Sequence, residues 1–163
     1  MSQNFLTCIK LNRAEINVAA LVDGGSTVSA ITESLLRKLK LTKAITYKNI
    51  KAKSWNDETC AFIGRVPFTF FIGTHKFSHT FYVAKKKATG TPVILGIDFL
   101  HLAEATLRYE PEGVSLTITK HRVKIPLIRA STKIFHNNHL QIYTVKVENK
   151  SKTETMSLQG AIL

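Results

Sequence analysis

Residues 19–31 read Ala19-Ala20-Leu21-Val22-Asp23-Gly24-Gly25-Ser26-Thr27-Val28-Ser29-Ala30-Ile31. An apolar run brings a single carboxylate, Asp23, into a glycine turn, and a second apolar run follows the turn. Asp-Gly is a common hairpin signal, so Asp23 could simply begin a turn. Apolar residues on both sides nevertheless place this carboxylate near the core, where an unpaired charge is costly. The apolar flanks therefore argue against a plain turn at Asp23.

A second motif, farther along the chain, reads Val93-Ile94-Leu95-Gly96-Ile97-Asp98-Phe99-Leu100. Together the two motifs resemble the retroviral-type aspartic proteases, the retropepsins. In that family a strand carries Asp-Thr/Ser-Gly into the active site, and a hydrophobic-hydrophobic-Gly segment passes beneath it. The resemblance implies an all-β fold, a closed barrel of the acid protease type, with one short helix after the active-site loop and one after the Ile-Leu-Gly motif. It also implies that Asp23 is catalytic and that Ile94, Leu95 and Gly96 lie under the site.

The sequence around the two motifs narrows the resemblance to one group of proteases within the family. The runs from Asn17 to Asp23, from Ile94 to Leu100 and from Leu107 to Glu110 look like those in proteases of gypsy-type long-terminal-repeat retroelements. This similarity implies a fragment of a Pol polyprotein, or a host gene derived from one. Residues 1–120 are accordingly predicted to form the protease domain.

Residues 121–163 are predicted to form a β-rich C-terminal extension. The segments from Ile125 to Ile128 and from His139 to Asn149 resemble the part of such polyproteins that joins protease to reverse transcriptase. This extension is therefore interpreted as a linker toward reverse transcriptase.

Aspartic protease chemistry requires two carboxylates that share one proton. The ionised oxygen takes a proton from the attacking water, and the protonated one polarises the scissile carbonyl. Of the three aspartates, Asp23, Asp57 and Asp98, only Asp23 ends an apolar strand before a Gly-Gly turn. Because 163 residues leave no room for a second lobe, a two-fold homodimer would have to bring Asp23 to its own copy. We predict an aspartic endopeptidase that hydrolyses peptide or polyprotein substrates with no metal and no cofactor.

Gly24 departs from the family pattern. The family has Thr or Ser here, and its hydroxyl reaches across the dimer to the partner's backbone. Glycine cannot make that bond, and it adds backbone freedom. The alternative function is therefore a catalytically weak or inactive dimerisation module. A further alternative is a loop adapted to glycine, with a positive φ at position 24.

The resemblance gives supporting roles to other residues. Gly25 would let the backbone approach Asp23 and donate a hydrogen bond to it, and the Ser26 hydroxyl would bond the outer oxygen of Asp23. A hairpin tip over residues 54–58 corresponds in order to the family's flap, which closes over substrate and excludes water. Trp55 at this tip could contact substrate or pack against its own hairpin. The predicted substrate-binding residues of the flap are Ser54, Trp55, Asn56, Asp57 and Glu58.

Sequence periodicity predicts mostly strands. Period-two alternation predicts four hairpins, formed by residues 4–10 with 15–22, 48–54 with 58–64, 65–72 with 76–83, and 107–110 with 114–119. Ile31, Leu35 and Leu39 recur at helical spacing and Thr32 can cap, which predicts a helix over about 32–39. A second short helix is predicted from Asp98 to His101.

The formal net charge is +12, and the basic residues are spread along the chain. Such a surface allows unspecific contact with nucleic acid. No aromatic-interleaved basic face is evident in the sequence, so a solvated basic surface is the simpler interpretation. A basic nucleic-acid-binding β-domain is the least favoured function.

Two cysteines, Cys8 and Cys60, are too few for a disulfide framework. They indicate reduced thiols in an intracellular setting, either the cytoplasm or a retroelement particle. No apolar run is long enough for a membrane span, so no membrane partner is expected. His75 and His79 lack the neighbouring ligands of a metal site and are interpreted as surface or interface residues.

Overall fold

The structure, a computed structural model, describes residues 4–11, 16–53, 59–85, 91–135, 142–148 and 153–159. None of the helices in these ranges is long and apolar enough to cross a membrane. The predicted flap tip at 54–58 and the lysine-rich segment at 86–90 lie outside the described residues.

The described residues form thirteen strands and two short α-helices. The strands are β1 (Asn4–Leu11), β2 (Ile16–Val22), β3 (Ala30–Thr32), β4 (Thr46–Lys53), β5 (Thr59–Ile72), β6 (His75–Ala84), β7 (Val93–Leu95), β8 (Ala105–Glu110), β9 (Gly113–Ile118), β10 (Val123–Pro126), β11 (Ile128–Phe135), β12 (Ile142–Glu148) and β13 (Thr153–Gln159). The helices are α1 (Glu33–Lys38) and α2 (Ile97–Leu102), and short 3-10 turns cover Thr42–Ala44 and Thr119–His121.

Six strands close into a barrel. Their order is β1-β2-β7-β3-β6-β5, and β5 pairs back to β1. Most neighbours are antiparallel, but β2–β7 and β3–β6 are parallel pairs. Closure pairs strand edges that would otherwise be open. The predicted all-β closed barrel is confirmed.

The core confirms the predicted alternation on the β5–β6 hairpin. Four alternate side chains of β5 are at most 5% exposed, namely Val66, Phe68, Phe70 and Ile72. Phe77, Phe81 and Val83 of β6 face the same core. Gly73 turns the hairpin at a φ of +59°, a left-handed conformation that glycine adopts without strain.

The prediction that residues 58–64 and 65–72 are separate strands is wrong. They form one strand, β5, which pairs with β4 through its first part and with β1 through its last part. The register against β6 shifts between Phe62 and Gly64. Such a bulge bends a strand without ending it, which lets one strand serve two neighbours.

Both predicted helices are present. The hydroxyl of Thr32 accepts from the Leu35 N–H at 3.3 Å and caps α1. Leu35 and Leu36 of α1 are buried against the barrel. Helix α2 begins directly after Gly96 and buries Phe99.

The residues after position 121 include β-strands. Strand β10 extends the β8–β9 hairpin into a three-stranded sheet, and β11 pairs with β1 of the barrel. Strands β12 and β13 form an antiparallel pair beyond β11. A domain boundary at residue 120 stays a prediction.

Candidate active site

Strand β2 delivers Asp23 to one end of the barrel. Residues 20–22 pair in parallel with residues 93–95 of β7, and the Asp23 N–H donates to the Leu95 carbonyl at 3.0 Å. The chain then turns, because the Ser26 N–H donates to the Asp23 carbonyl at 3.2 Å. The backbone of Asp23 is thus held on both sides of its Cα.

The carboxylate of Asp23 lies at the rim of this turn. Asp23 is half-buried, while Gly24 and Gly25 are exposed. The Gly25 N–H donates to Asp23 Oδ1 at 2.9 Å, as expected from the sequence. A Cβ at Gly25 would lie 3.2 Å from that oxygen, so glycine permits the close approach.

The expected hydrogen bond from Ser26 to Asp23 is absent. Ser26 Oγ donates instead to the Val28 carbonyl at 2.7 Å. Serine hydroxyls commonly bond to nearby backbone groups, and here the acceptor is two residues ahead. Ser26 therefore stabilises the return of the loop toward β3.

Gly24 has open space around it. A Cβ at this position would meet no atom within 4 Å. Among the described glycines, a left-handed φ occurs at Gly73 and Gly113. The alternative of a loop adapted to glycine through a positive φ at position 24 is therefore wrong, and the backbone there can accept a β-branched side chain.

Gly96 lies directly beneath the loop, as the Ile-Leu-Gly motif implies. A Cβ at Gly96 would lie 2.4 Å from the Val28 carbonyl oxygen and 2.9 Å from that of Ser26. The next residue, Ile97, donates its N–H to the Ser26 carbonyl at 2.8 Å. Since backbone atoms occupy the space of a side chain, only glycine lets β7 and the loop approach this closely.

A buried polar network supports the same loop. Ser29 Oγ donates to Asp98 Oδ1 at 2.6 Å and accepts from the Gly96 N–H at 2.9 Å. The Phe99 N–H also donates to Asp98 Oδ1, at 2.8 Å, and His79 Nε2 lies 2.9 Å from Asp98 Oδ2. An ionised carboxylate only accepts, so the imidazole N–H is the donor.

These contacts change the acidity of Asp98. Partial burial works to raise the pKa of this carboxyl group, but hydrogen bonds from Ser29, His79 and Phe99 outweigh burial and hold the pKa below its usual value of 3.8. Each of these donors favours the charged form. Asp98 is therefore an ionised acceptor that ties β6, α2 and the loop together.

Sequence reasoning missed this network. The sequence predicts a surface or interface position for His79, yet its side chain is only 13% exposed and bonds to Asp98 within the chain. It shares the inward face of β6 with Phe77 and Phe81, and its ring contacts Phe81 edge-on. A histidine at an inward position of an apolar strand needs a partner. That signal was available in the sequence, but the identity of the partner was not.

The arrangement leaves one carboxylate, that of Asp23, open for acid–base chemistry. The second oxygen of Asp23 has no hydrogen-bond partner among the described residues, whereas both oxygens of Asp98 are occupied. No group of three or more His, Cys, Asp or Glu side chains suited to a metal is found in the described part of the chain.

The sequence and the fold were compared with known proteins. A family model described as gag-polyprotein putative aspartyl protease matches residues 9–101, more than half of the chain. No curated protein sequence matches.

Among solved structures, the fold resembles the retroviral protease-like domain of Ddi1 from Leishmania major. The TM-score is 0.60 at 18% identity, over 78% of this chain and 96% of that chain. A retropepsin-like aspartic protease from Rickettsia conorii gives a TM-score of 0.49 at 17% identity, over 66% and 84% of the two chains. EIAV protease complexed with the inhibitor HBY-793 gives 0.46 at 19% identity, over 63% and 90%.

Proposed function

The chain belongs to the family of gag-polyprotein aspartyl proteases, and from this premise we propose that it is an aspartic endopeptidase acting as a homodimer. Its substrates are peptide bonds of a polyprotein. The observation that carries the proposal is the placement of Asp23. Its backbone is fixed, an exposed glycine turn follows it, and one carboxylate oxygen has no hydrogen-bond partner in the described part of the chain.

The proposed mechanism uses one proton shared between Asp23 and Asp23 of the partner subunit. Two close carboxylates cannot both ionise readily, so one remains protonated. The ionised oxygen takes a proton from water as the water attacks the scissile carbonyl. The protonated oxygen donates toward the carbonyl oxygen, where negative charge develops. The Gly25 N–H orients the carboxylate for both roles.

The surroundings of Asp98 support the proposal that the second carboxylate comes from a partner subunit. Asp98 is engaged by Ser29, His79 and Phe99, and Asp57 lies outside the described residues. A two-fold axis beside the exposed turn would bring the missing carboxylate from a second copy. Residues 54–58 would then cover the substrate as a flap.

The biological setting is proposed from the sequence motifs alone. The runs around Asp23 and Gly96 favour a gypsy-type retroelement origin, either as a fragment of a Pol polyprotein or as a host gene derived from one. An intracellular setting, with residues 121–163 leading toward reverse transcriptase, fits that origin.

Gly24 favours a second candidate function, a dimerisation module with weak or no proteolysis. The exposed turn holds no hydroxyl at this position. A less rigid pair of carboxylates would catalyse less well, since small misplacements are expensive in rate. The fold and the dimer would persist without efficient chemistry.

One experiment separates the two functions. The full chain is incubated with a peptide library at mildly acidic pH, with and without a pepstatin-type inhibitor, and its oligomeric state is measured by sedimentation. We expect a dimer with inhibitor-sensitive cleavage that Asp23→Asn lowers by about 10²–10⁴-fold. A dimer with no cleavage supports the module, whereas cleavage that survives Asp23→Asn, or a strict monomer, contradicts the protease.

A further inference from the structure

Residues 37–53 are an exception to the spread of basic residues along the chain, because they carry seven Lys or Arg side chains, one Tyr and no Asp or Glu. This stretch, here called the basic segment, runs from the end of α1 through β4. Its basic side chains with described exposure are all solvent-exposed: Arg37, Lys38, Lys40, Lys43, Lys48 and Lys51. Six exposed basic side chains, with no acidic residue between them, therefore lie within one short stretch of the chain.

Strand β4 gives the basic segment an extended shape. It stands at the end of the larger sheet, next to β5, and its eight residues span about 25 Å. Lys40, Lys43, Lys48 and Lys51 take part in no ion pair with a carboxylate of the described residues. Their charges are thus available along a line rather than gathered at one point.

Tyr47 is an exposed aromatic residue on the same edge strand as Lys48 and Lys51. It is 62% exposed, and its cross-strand partner on β5 is Gly64. Gly64 must be glycine, because a Cβ there would lie 2.4 Å from the Thr46 carbonyl oxygen. Side chains opposite each other in a sheet normally cover one another. The close approach of β4 and β5 therefore leaves Tyr47 bare.

Two simpler explanations account for part of the basic segment. Basic residues at the end of a helix offset its dipole, which covers Arg37 and Lys38. Lysines on an edge strand prevent pairing with other chains, which covers Lys48 and Lys51. Neither explanation accounts for Tyr47, because an exposed ring on an edge strand promotes association.

We propose that the basic segment is a binding surface for single-stranded nucleic acid. Lysines along β4 contact successive phosphates, and a base stacks on the ring of Tyr47. Stacking on an aromatic side chain within a positively charged track is how proteins bind single strands without sequence preference. Acidic peptides and anionic membranes would use the charges, but they have no base to stack on Tyr47.

The first arm of the test measures how much the lysines of β4 contribute to RNA binding. Binding of the full-length protein to a labelled 15-nucleotide single-stranded RNA is followed by fluorescence anisotropy over a salt series. The double variant Lys48→Glu/Lys51→Glu is compared with Lys76→Glu/Lys120→Glu, which changes the net charge equally at exposed sites outside the basic segment. We expect the first variant to reduce the salt slope by about 1.4, at about 0.7 for each lost phosphate contact. The second should bind nearly as the unmodified protein does.

The second arm measures stacking. Tyr47→Ala is compared with Tyr109→Ala, since Tyr109 is 68% exposed and lies on β8. Loss of one stacked base is expected to weaken binding by about five- to 100-fold with an unchanged salt slope. The Tyr109 variant should bind normally. Melting curves of all four variants confirm that the fold is retained.

Three outcomes would overturn the proposal. One is no RNA binding by the unmodified protein at low salt, which would leave edge protection as the role of the lysines. Another is equal loss in both charge variants, which would mean attraction to the whole surface. The last is equal binding of polyglutamate or phosphatidylserine vesicles with no effect of Tyr47→Ala, which would identify a general polyanion surface. None of these results bears on cleavage by Asp23.

Discussion

Asp23 and Asp98 both follow strands that pair with each other, β2 and β7, but their carboxylates have opposite surroundings. Asp98 receives hydrogen bonds from Ser29, His79 and the Phe99 backbone. Asp23 receives one, from Gly25, among the described residues. A carboxylate that is satisfied within the protomer stabilises the fold. One with an open oxygen can accept a hydrogen bond from water, from a substrate or from a partner.

The two glycines beside these aspartates show the same contrast. Gly96 is surrounded by backbone of the loop it supports, whereas Gly24 faces open space. The support beneath the loop is therefore tightly packed, and the rim of the loop is not. Substitutions at the two aspartates and the two glycines should give different results for this reason.

The largest effect on stability is expected for Gly96→Ala. Its Cβ would lie 2.4 Å from the Val28 carbonyl oxygen, and backbone cannot move away as a flexible side chain can. We expect a loss of about 3 kcal/mol or more in the free energy of unfolding, measured by urea denaturation. Gly24→Ala is the matched control and should change it by less than about 1 kcal/mol. A cost below about 1 kcal/mol for Gly96→Ala would contradict the packing described for the loop.

Asp98→Ala should have the next largest effect. The variant leaves Ser29 Oγ and the Phe99 N–H without their acceptor, at a cost of about 1–3 kcal/mol. Asp23→Ala removes a carboxylate from an exposed turn and should change the unfolding free energy by less than about 0.5 kcal/mol. Urea denaturation at equal protein concentration compares the two. Equal losses would mean that Asp23 is also a structural residue.

Gly24→Thr tests whether a hydroxyl at position 24 of the exposed loop strengthens the proposed dimer. The substituted side chain has room in the protomer, and a hydroxyl there could bond the partner's backbone. Two symmetric bonds should tighten the dimer by about 1–3 kcal/mol, and the rate of cleavage should rise with it. Sedimentation equilibrium of both proteins gives the dissociation constants. A weaker dimer in the threonine variant would show that Gly24 is not a simple loss of the hydroxyl.

The smallest effect is expected in the dependence of stability on pH. The pKa of Asp98 is held below its usual value of 3.8 in the folded chain, so the unfolded chain binds more protons at acidic pH. The contribution of Asp98 is therefore complete above 3.8 and is lost as the pH falls through its folded-state pKa. Urea denaturation from pH 5 downward should show a steeper decline for the unmodified protein than for Asp98→Asn. Parallel curves would mean that the network does not favour the ionised form.

Much of the fold could be predicted because the pattern is local. Alternating apolar residues identified the β5–β6 hairpin, and helical spacing with the Thr32 cap identified α1. The turn at Gly73 follows from the residue type itself. In each case the determining contacts lie between residues close in the sequence, which is where periodicity is informative.

The failures concern contacts between distant residues. The continuity of β5 depends on two different neighbours, β4 and β1. The role of His79 depends on Asp98, which is nineteen positions away. Ser26 is a local exception, because its hydroxyl donates to the Val28 carbonyl two residues ahead and not to Asp23.

The sequence by itself determined that Asp23 ends a buried strand in a glycine turn, because an apolar run and two glycines leave few other conformations. The Ile-Leu-Gly motif also identified Gly96 as a residue beneath the loop. The physical reason for glycine, the backbone of the loop in the space of a side chain, is visible only in the structure. Only the tertiary structure decided that Asp98 is engaged on both oxygens, whereas Asp23 has one oxygen without a hydrogen-bond partner among the described residues. Three donors from separate elements converge on Asp98, and a closed barrel with α2 packed beneath it is needed to bring them together. Long-range pairing of this kind depends on the whole chain, so no short stretch of residues can specify it.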